Sequence, residues 1–362
     1  MSNVTRPGRI VSPLPLILNI TIAILTLLPA APVRGQDEIP INSRRLSERI
    51  LLTWACNHFQ GTNMAVISTS EGLVVIDTGL SSTIVRRQRS LVERELGRSD
   101  FRYVINTHMH NDHAFANEVF SEAAVVGHVE SVSEMRLEVA RIPELIDRLR
   151  SSQADYLEWA EWAVENAEDP DEAEQAREGV AAFAVGIGDL ERGIEPRYPS
   201  LTFTGHESFQ VGDLQFLLYP FMGFHSGSDI LILVPEERIL FTGDVFSPGS
   251  LPWIRLNSAD TFLDLMETWK AILEACPDLE TIVTGHSDMP VTVKEFRASY
   301  GYLSRLWEMV CEAKEAGTGL ERFLIGGSFK EQFPEVAEYR YLYNDLNFHQ
   351  HNVTMMWQVA GG

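Results

Sequence analysis

The residues most able to do chemistry sit together in His108-Met109-His110-Asn111-Asp112-His113, which carries three imidazoles and one carboxylate. An extended backbone places residues 108, 110 and 112 on one side, with His113 where the chain turns. Imidazole and carboxylate are the ligand types that hold zinc and similar divalent cations. Four donors in so short a segment exceed what one closed tetrahedral site readily takes, so the spacing predicts two adjacent metals with further ligands from other loops. Those ligands are to be sought at the ends of other apolar β-runs. His225, in His225-Ser226-Gly227-Ser228-Asp229, Asp244, closing Phe241-Thr242-Gly243-Asp244, and His286, after Val283-Thr284-Gly285, all occupy such places. The chain has no Gly-x-Ser-x-Gly turn and no cysteine beside a histidine-rich motif, so a side-chain nucleophile is not expected.

Positioning these donors requires elements whose ends converge. Short, β-branched runs bounded by Gly, Asp or Pro read as strands at Gly72–Ile76, Phe101–Asn106, Ala123–Val126, Ser208–Tyr219, Ile230–Val234, Arg238–Thr242 and Thr281–Thr284. Helical patterns fall between them at Ser82–Leu96, Ala259–Cys276 and Val293–Ala316, an alternation that puts helices on sheet faces. From 131 to 193 the rhythm breaks into a charged helical insertion, with helical spacing in Glu134–Arg150, Ala154–Ala167 and Pro170–Phe183. Tyr156, Leu157, Trp159 and Trp162 are expected to form one apolar helix face there, which either packs the insertion onto its domain or serves as a substrate lid or dimer contact. The main domain is expected over 36–300. Residues 301–362 are expected to be a helical extension packed on the same domain, ending in a helix at His349–Ala360.

With Val75-Ile76-Asp77-Thr78-Gly79 upstream, the ordered motifs resemble the five-motif pattern of the metallo-β-lactamase superfamily over about Asn57 to His286. The resemblance implies a four-layered αβ/βα sandwich. It also implies that His108, His110 and His225 hold a first metal, that Asp112, His113 and His286 hold a second, and that Asp244 bridges them. Asp112 and Asp244 are then the carboxylates of the catalytic centre. Asp77 and Asp229 take supporting places behind the ligands, with stabilisation of their own turns as the alternative. The ions implied are two divalent cations, zinc first, iron or manganese as alternatives. They would acidify a water and polarise the substrate, so that metal-bound hydroxide cleaves an ester, thioester or lactone without a covalent intermediate. An Asp at the bridging position sets the chain nearer to the glyoxalase II, lactonase and phosphodiesterase-like branches than to the two main dizinc β-lactamase subclasses. β-Lactam hydrolysis is the first alternative; an iron-dependent dioxygenase or a non-catalytic metal-binding protein on the same scaffold is the second.

Residues outside the motifs carry less chemistry. His58, in a polar loop, and Phe115, Phe246 and Trp253, near the motifs, are candidate walls of a substrate pocket, as is the loop from Ser247 to Pro252. His128 and His206 follow strands and are expected to be structural. The His349-Gln350-His351 pair sits at a helix start, where capping or packing explains it better than a metal, since two donors do not make a site.

A hydrophobic content of 45% supports a large core, and a net charge of −22 argues against nucleic acid or anionic membranes as partners, leaving a small-molecule substrate. Arg6 and Arg9 precede an apolar run at Leu14–Leu28 and small residues up to Gly35, which reads as a secretory signal peptide over 1–35, with a retained anchor as the alternative. The expected mature protein is exported, periplasmic or secreted, without stable membrane association. Export permits one disulfide among Cys56, Cys276 and Cys311.

Overall fold

Alternating side-chain direction along the strands builds four layers. A computed structural model describes residues 39–56, 61–166, 170–222, 224–286, 289–339, 342–343 and 346–361; the expected signal peptide and His58 lie outside them. The first sheet has seven strands in chain order: β1 (Ile41–Arg45), β2 (Ile50–Ala55), β3 (Met64–Thr69), β4 (Gly72–Ile76), β5 (Phe101–Ile105), β6 (Ala124–His128) and β7 (Leu201–Phe203). Neighbours from β1 to β4 are antiparallel and those from β4 to β7 parallel. The second sheet runs β13-β12-β11-β10-β9-β8, comprising β8 (Glu207–Val211), β9 (Leu214–Pro220), β10 (Ile230–Val234), β11 (Ile239–Gly243), β12 (Thr281–Thr284) and β13 (Val291–Thr292). A small hairpin, β14 (Leu342–Tyr343) with β15 (Leu346–Asn347), stands apart from both.

Successive side chains of a strand point to opposite faces. In β4, Val74 and Ile76 pack between the sheets against Phe216, Ile232 and Phe241, while Leu73 and Val75 turn outward to Val85 and Val92 of helix α1 (Ser82–Leu96). In β10, Ile230, Ile232 and Val234 face the first sheet, and Leu231 and Leu233 face the helices behind the second. Both sheets are therefore covered on both sides, which is why β4 and β10 are apolar throughout. The expected αβ/βα sandwich is the fold.

Helix α1 begins where Ser81 accepts a hydrogen bond from the Ile84 amide and stops at Gly97 in the left-handed region. A short turn, α2 (Asn111–Ala114), follows β5, and the insertion supplies α3 (Ser131–Ala140), α4 (Ile142–Asn166) and α5 (Pro170–Arg192). The second sheet is backed by α6 (Ala259–Ala275) and α7 (Val293–Glu315), followed by α8 (Leu320–Leu324), α9 (Phe329–Gln332) and α10 (Phe348–Val359). Tyr302, Leu306, Val310, Phe333, Val353 and Met356 bury in one cluster with Leu231 and Leu240, so the last sixty residues complete the outer core of the second sheet. Helix α7 runs through the expected boundary at 300/301.

Other expectations need adjustment. The run Ser208–Tyr219 is two strands, β8 and β9, because Gly212 takes φ +58° and pairs Val211 with Leu214 in a two-residue hairpin. Strands β1, β2, β3, β7 and β13 were not anticipated. The insertion's first helices divide at Arg141 instead of near residue 152. Its aromatic face also divides: Tyr156 and Trp159 turn toward α5, with Tyr156 edge-on to Phe183 at 5.2 Å, whereas Leu157 and Trp162 are exposed. All three cysteines are free thiols. Among the described residues, no helix is long and apolar enough to cross a membrane.

Candidate metal centre

All the motif side chains emerge at one rim of the sandwich, because each follows the end of a strand: Asp77 after β4, His108 after β5, His225 after β9, Asp244 after β11 and His286 after β12. Backbone hydrogen bonds stitch these ends across the two sheets. The Ile230 amide donates to Thr107 O at 2.8 Å, Gly285 to Gly243 O at 2.8 Å and Asn63 to Gly285 O at 2.7 Å.

Two clusters of donors result. His110 Nδ1 lies 3.1 Å from His108 Nε2 and 2.7 Å from His225 Nε2. His286 Nε2 lies 3.3 Å from His113 Nε2, 3.2 Å from Asp112 Oδ2 and 3.1 Å from Asp244 Oδ2. Asp244 stands between them, with Oδ2 3.5 Å from His225 Nε2 and Oδ1 3.4 Å from His113 Nε2. The extended register expected for residues 108, 110 and 112 ends at His110, where ψ is 151°; Asp112 and His113 belong to the helical turn α2, which swings them to the second cluster.

Hydrogen bonds behind the donors fix which nitrogen faces inward. Asp77 accepts from the Thr107 amide at 2.8 Å and the Thr107 hydroxyl at 2.7 Å, and its Oδ2 lies 2.9 Å from His113 Nδ1. His113 must then carry its proton on Nδ1 and present a lone pair at Nε2. With its own proton spent on Asp77, the Thr107 hydroxyl offers a lone pair to His108 Nδ1 at 3.1 Å, which likewise leaves His108 Nε2 bare. Asp77 sits at φ +56°, a left-handed geometry that Asp tolerates better than most residues. Asp229 accepts from the His225 and Ser226 amides, both at 2.7 Å, and from the Ser226 hydroxyl at 2.6 Å, holding the loop that carries His225. Gly285 is required by close approach: a Cβ there would strike Asp244 Oδ1 and lie 2.8 Å from His113 Cε1.

The charge balance fits divalent cations. Burial pushes His108 well below the ordinary imidazole range and His225 down to about 4, so these two rings of the first cluster are neutral lone-pair donors. In the second, burial is outweighed by Asp244 and Asp112, which drive His286 up to about 10 and His113 well above its usual range. Burial would raise the carboxylates too, yet the His113 and His286 imidazoles hold Asp112 and Asp244 far down. A divalent ion held by Asp112, His113, His286 and Asp244 would take the place of those imidazolium protons as the countercharge. Asp244 Oδ1 is buried without a hydrogen-bond donor, as expected of an oxygen meant for a cation.

A family model described as Metallo-beta-lactamase superfamily matches residues 59–286. The chain belongs to the metallo-beta-lactamase superfamily. No curated protein matches it. Among solved structures of the superfamily's fold, the chain is similar to a stereoselective inverting sec-alkylsulfatase from Pseudomonas sp., with a TM-score of 0.58 and 15% identity, covering 88% of this chain and 50% of that one. It is also similar to a metallo-beta-lactamase from Pontibacter korlensis, at TM-score 0.46 and 15% identity over 72% of this chain and 99% of that one. A metallo-beta-lactamase from Hirschia baltica matches at TM-score 0.46 and 14% identity, over 73% and 97%.

Within this superfamily rim, the expected pocket residues divide. Trp253 lines a cleft of about 220 Å³ beside His225 and Asp244, with Ser247, Ser250, Leu251 and Pro252 on the same wall. Phe115 does not reach it: it is fully buried among Met109, Met135, Leu145 and Leu190, as core. Phe246 is core as well, edge-on to Phe296 at 5.7 Å. Neither His349 nor His351 joins a donor cluster. His349 Nδ1 meets the Tyr302 hydroxyl at 3.0 Å, and His351 stacks on Trp253 at 3.6 Å while its Nε2 meets Ile254 O at 2.8 Å. His128 Nε2 lies 3.4 Å from Thr204 O and His206 stands edge-on to Tyr219, both away from the donors.

The sequence did not point to the insertion's part in the site. Glu134 of α3 accepts from the Gly227 amide at 2.7 Å and from the Ser228 hydroxyl, and Glu138 accepts from Asn111 at 3.1 Å. One helix therefore braces loops of both clusters. An acid in the first turn of a helix ordinarily serves the helix itself, so nothing in the pattern sets Glu134 apart.

Proposed function

We propose that this chain is an exported, soluble metallohydrolase that cleaves an ester, thioester or lactone bond in a small molecule. The carrying observation is the Asp244 carboxylate, whose two oxygens face the two histidine clusters. Residues His108, His110 and His225 would hold one divalent cation, Asp112, His113 and His286 the other, with Asp244 shared. Bound there, such ions supply a water of near-neutral pKa and an electrophile for the substrate oxygen.

The chain's own residues do the rest. Asp77 and Thr107 hold His113 and His108 with bare Nε2 atoms inward. Asp229 and Glu134 fix the His225 loop. Trp253, backed by the His351 ring, gives the cleft a rigid aromatic wall for one side of the substrate. Among the described residues, no side chain is placed as a nucleophile. Burial pushes the Cys56 thiol up to about 12, with Glu178 adding to it, so it stays protonated.

The alkylsulfatase likeness concerns fold, so sulfate esters enter as one member of a test panel. Purified chain loaded with zinc is assayed on acyl esters, thioesters, lactones, phosphate and sulfate esters and a chromogenic cephalosporin. Turnover of an acyl substrate, abolished by chelation and restored by zinc, is expected, with no cephalosporin cleavage. Cephalosporin cleavage without acyl turnover overturns the ester reading in favour of β-lactam hydrolysis. One iron per chain and no hydrolysis favours a dioxygenase.

A further inference from the structure

A cavity of about 340 Å³, distinct from the cleft at Trp253, reaches the donors at Asp112. Thr62 and Asn111 line it beside Asp112, and helices of the insertion line it elsewhere. Three helices enclose it, each presenting one stripe at the i, i+3, i+4, i+7 spacing that marks a single helix face. The α1 end contributes Ser81, Ile84, Val85 and Gln88, helix α5 contributes Gly179, Ala182, Phe183 and Gly186, and α4 gives Leu145, Arg148, Leu149 and Ser152. Seven residues of helix are about 10 Å long, which sets the depth of the chamber.

The stripe on α5 sets how closely its neighbours approach. Gly179 and Gly186 let neighbours close in: a Cβ at Gly186 would meet Leu80 Cδ2 at 3.0 Å, and one at Gly179 would meet the Tyr156 ring at 2.6 Å. Ala182 between them is half-buried and lines the chamber with a single methyl group. The insertion is also tied to the start of α1. Asp189 of α5 accepts from the Thr83 amide at 2.9 Å, the Thr83 hydroxyl at 2.7 Å and the Ser81 hydroxyl, so two of the chamber's walls are fastened to each other. Its walls are mostly apolar, Asp112 lies at its mouth, and Arg148, on the rim, is exposed.

We propose that this chamber takes an apolar acyl arm of the substrate, several methylenes long, while the scissile bond lies at the Asp112–Asp244 donors and the other part of the substrate lies against Trp253. The inference rests on the hydrolase reading for the bond cleaved and on the chamber alone for the arm. An apolar, preformed slot rewards each buried methylene by about 0.8 kcal/mol, or roughly fourfold in kcat/KM.

The zinc-loaded full chain is assayed with p-nitrophenyl acetate, butyrate and octanoate. Stabilisation by acetate or octanoate is followed separately as a shift in Tm, which needs no turnover. The expected result is a kcat/KM that climbs from acetate to octanoate, a Tm raised by octanoate but not acetate, and both preferences reduced at least tenfold in Ala182→Phe. Leu149→Ala, which enlarges the chamber, is expected to move the optimum to a longer chain; it decides the matter should Ala182→Phe fail to fold. Equal constants for all three esters, untouched by either variant, overturn the chamber while leaving the hydrolase reading intact. Octanoate binding that Ala182→Phe abolishes, with no ester cleaved, keeps the chamber and overturns the hydrolase.

Discussion

At the scale of single residues, the site separates donors from look-alikes by what stands behind each ring. His110 has two imidazole nitrogens within 3.1 Å and no backbone partner for Nδ1, whereas His351 has a carbonyl at 2.8 Å and an indole stacked on its face. His110→Ala and Asp244→Ala are therefore expected to lose most of the bound metal, and His351→Ala none, as counted by atomic emission on dialysed protein. Loss from His351→Ala equal to that from His110→Ala would show the donor set to be wrong. The candidate donors stood out in the sequence as motifs at or soon after the ends of apolar β-runs, and the structure brings them together. The pocket was less so. Phe115 and Trp253 are both aromatics near a motif, and only packing reveals that Phe115 belongs to the core while Trp253 fronts the cleft.

Among the elements, helix α3 matters beyond its length. Through Glu134 it receives the Gly227 amide and the Ser228 hydroxyl, and through Glu138 the Asn111 amide group, so it braces both metal loops from outside. Removing the half-buried Glu134 acceptor strands its donors at a cost toward the low end of about 1–3 kcal/mol. Glu134→Ala is expected to weaken zinc affinity roughly 10- to 100-fold in a chelator competition, the range seen when partners behind a ligand are lost, while the far-ultraviolet circular dichroism stays as in the parent. An unchanged affinity would reduce α3 to packing. The insertion was visible as a helical interruption of strands, but its contacts span some ninety residues of sequence and leave no local trace. Strand β2, buried at every position, escaped although the equally buried β4 and β10 were read as strands. The β8–β9 hairpin had a legible sign in Gly212-Asp213, a tight-turn pair inside what looked like one strand.

For the molecule as a whole, the C-terminal helices bind pH to stability. Burial pushes His349, enclosed by Tyr302, Phe329 and Phe333, down to about 4, below the value near 6.5 of an unfolded chain. Between those limits the unfolded chain takes up a proton that the folded chain refuses, so the stability present above pH 6.5 is lost as pH falls toward 4, by about 3 kcal/mol at most. His349→Gln is expected to flatten this part of the pH dependence of Tm at fixed zinc concentration. A parallel curve for parent and variant would show that His349 takes no part. The order of the strands has another consequence. The seven strands of the first sheet neighbour one another in the order of synthesis, whereas His225, Asp244 and His286 arrive only with the second. A growing chain that has passed His113 thus carries half a chelate, and the cavity for its ions closes only after β12 has docked. Any cation site built from these residues would therefore be completed late in the life of the nascent protein, and a chain stopped short of residue 286 would keep Asp112, His113 and Asp244 but lack His286.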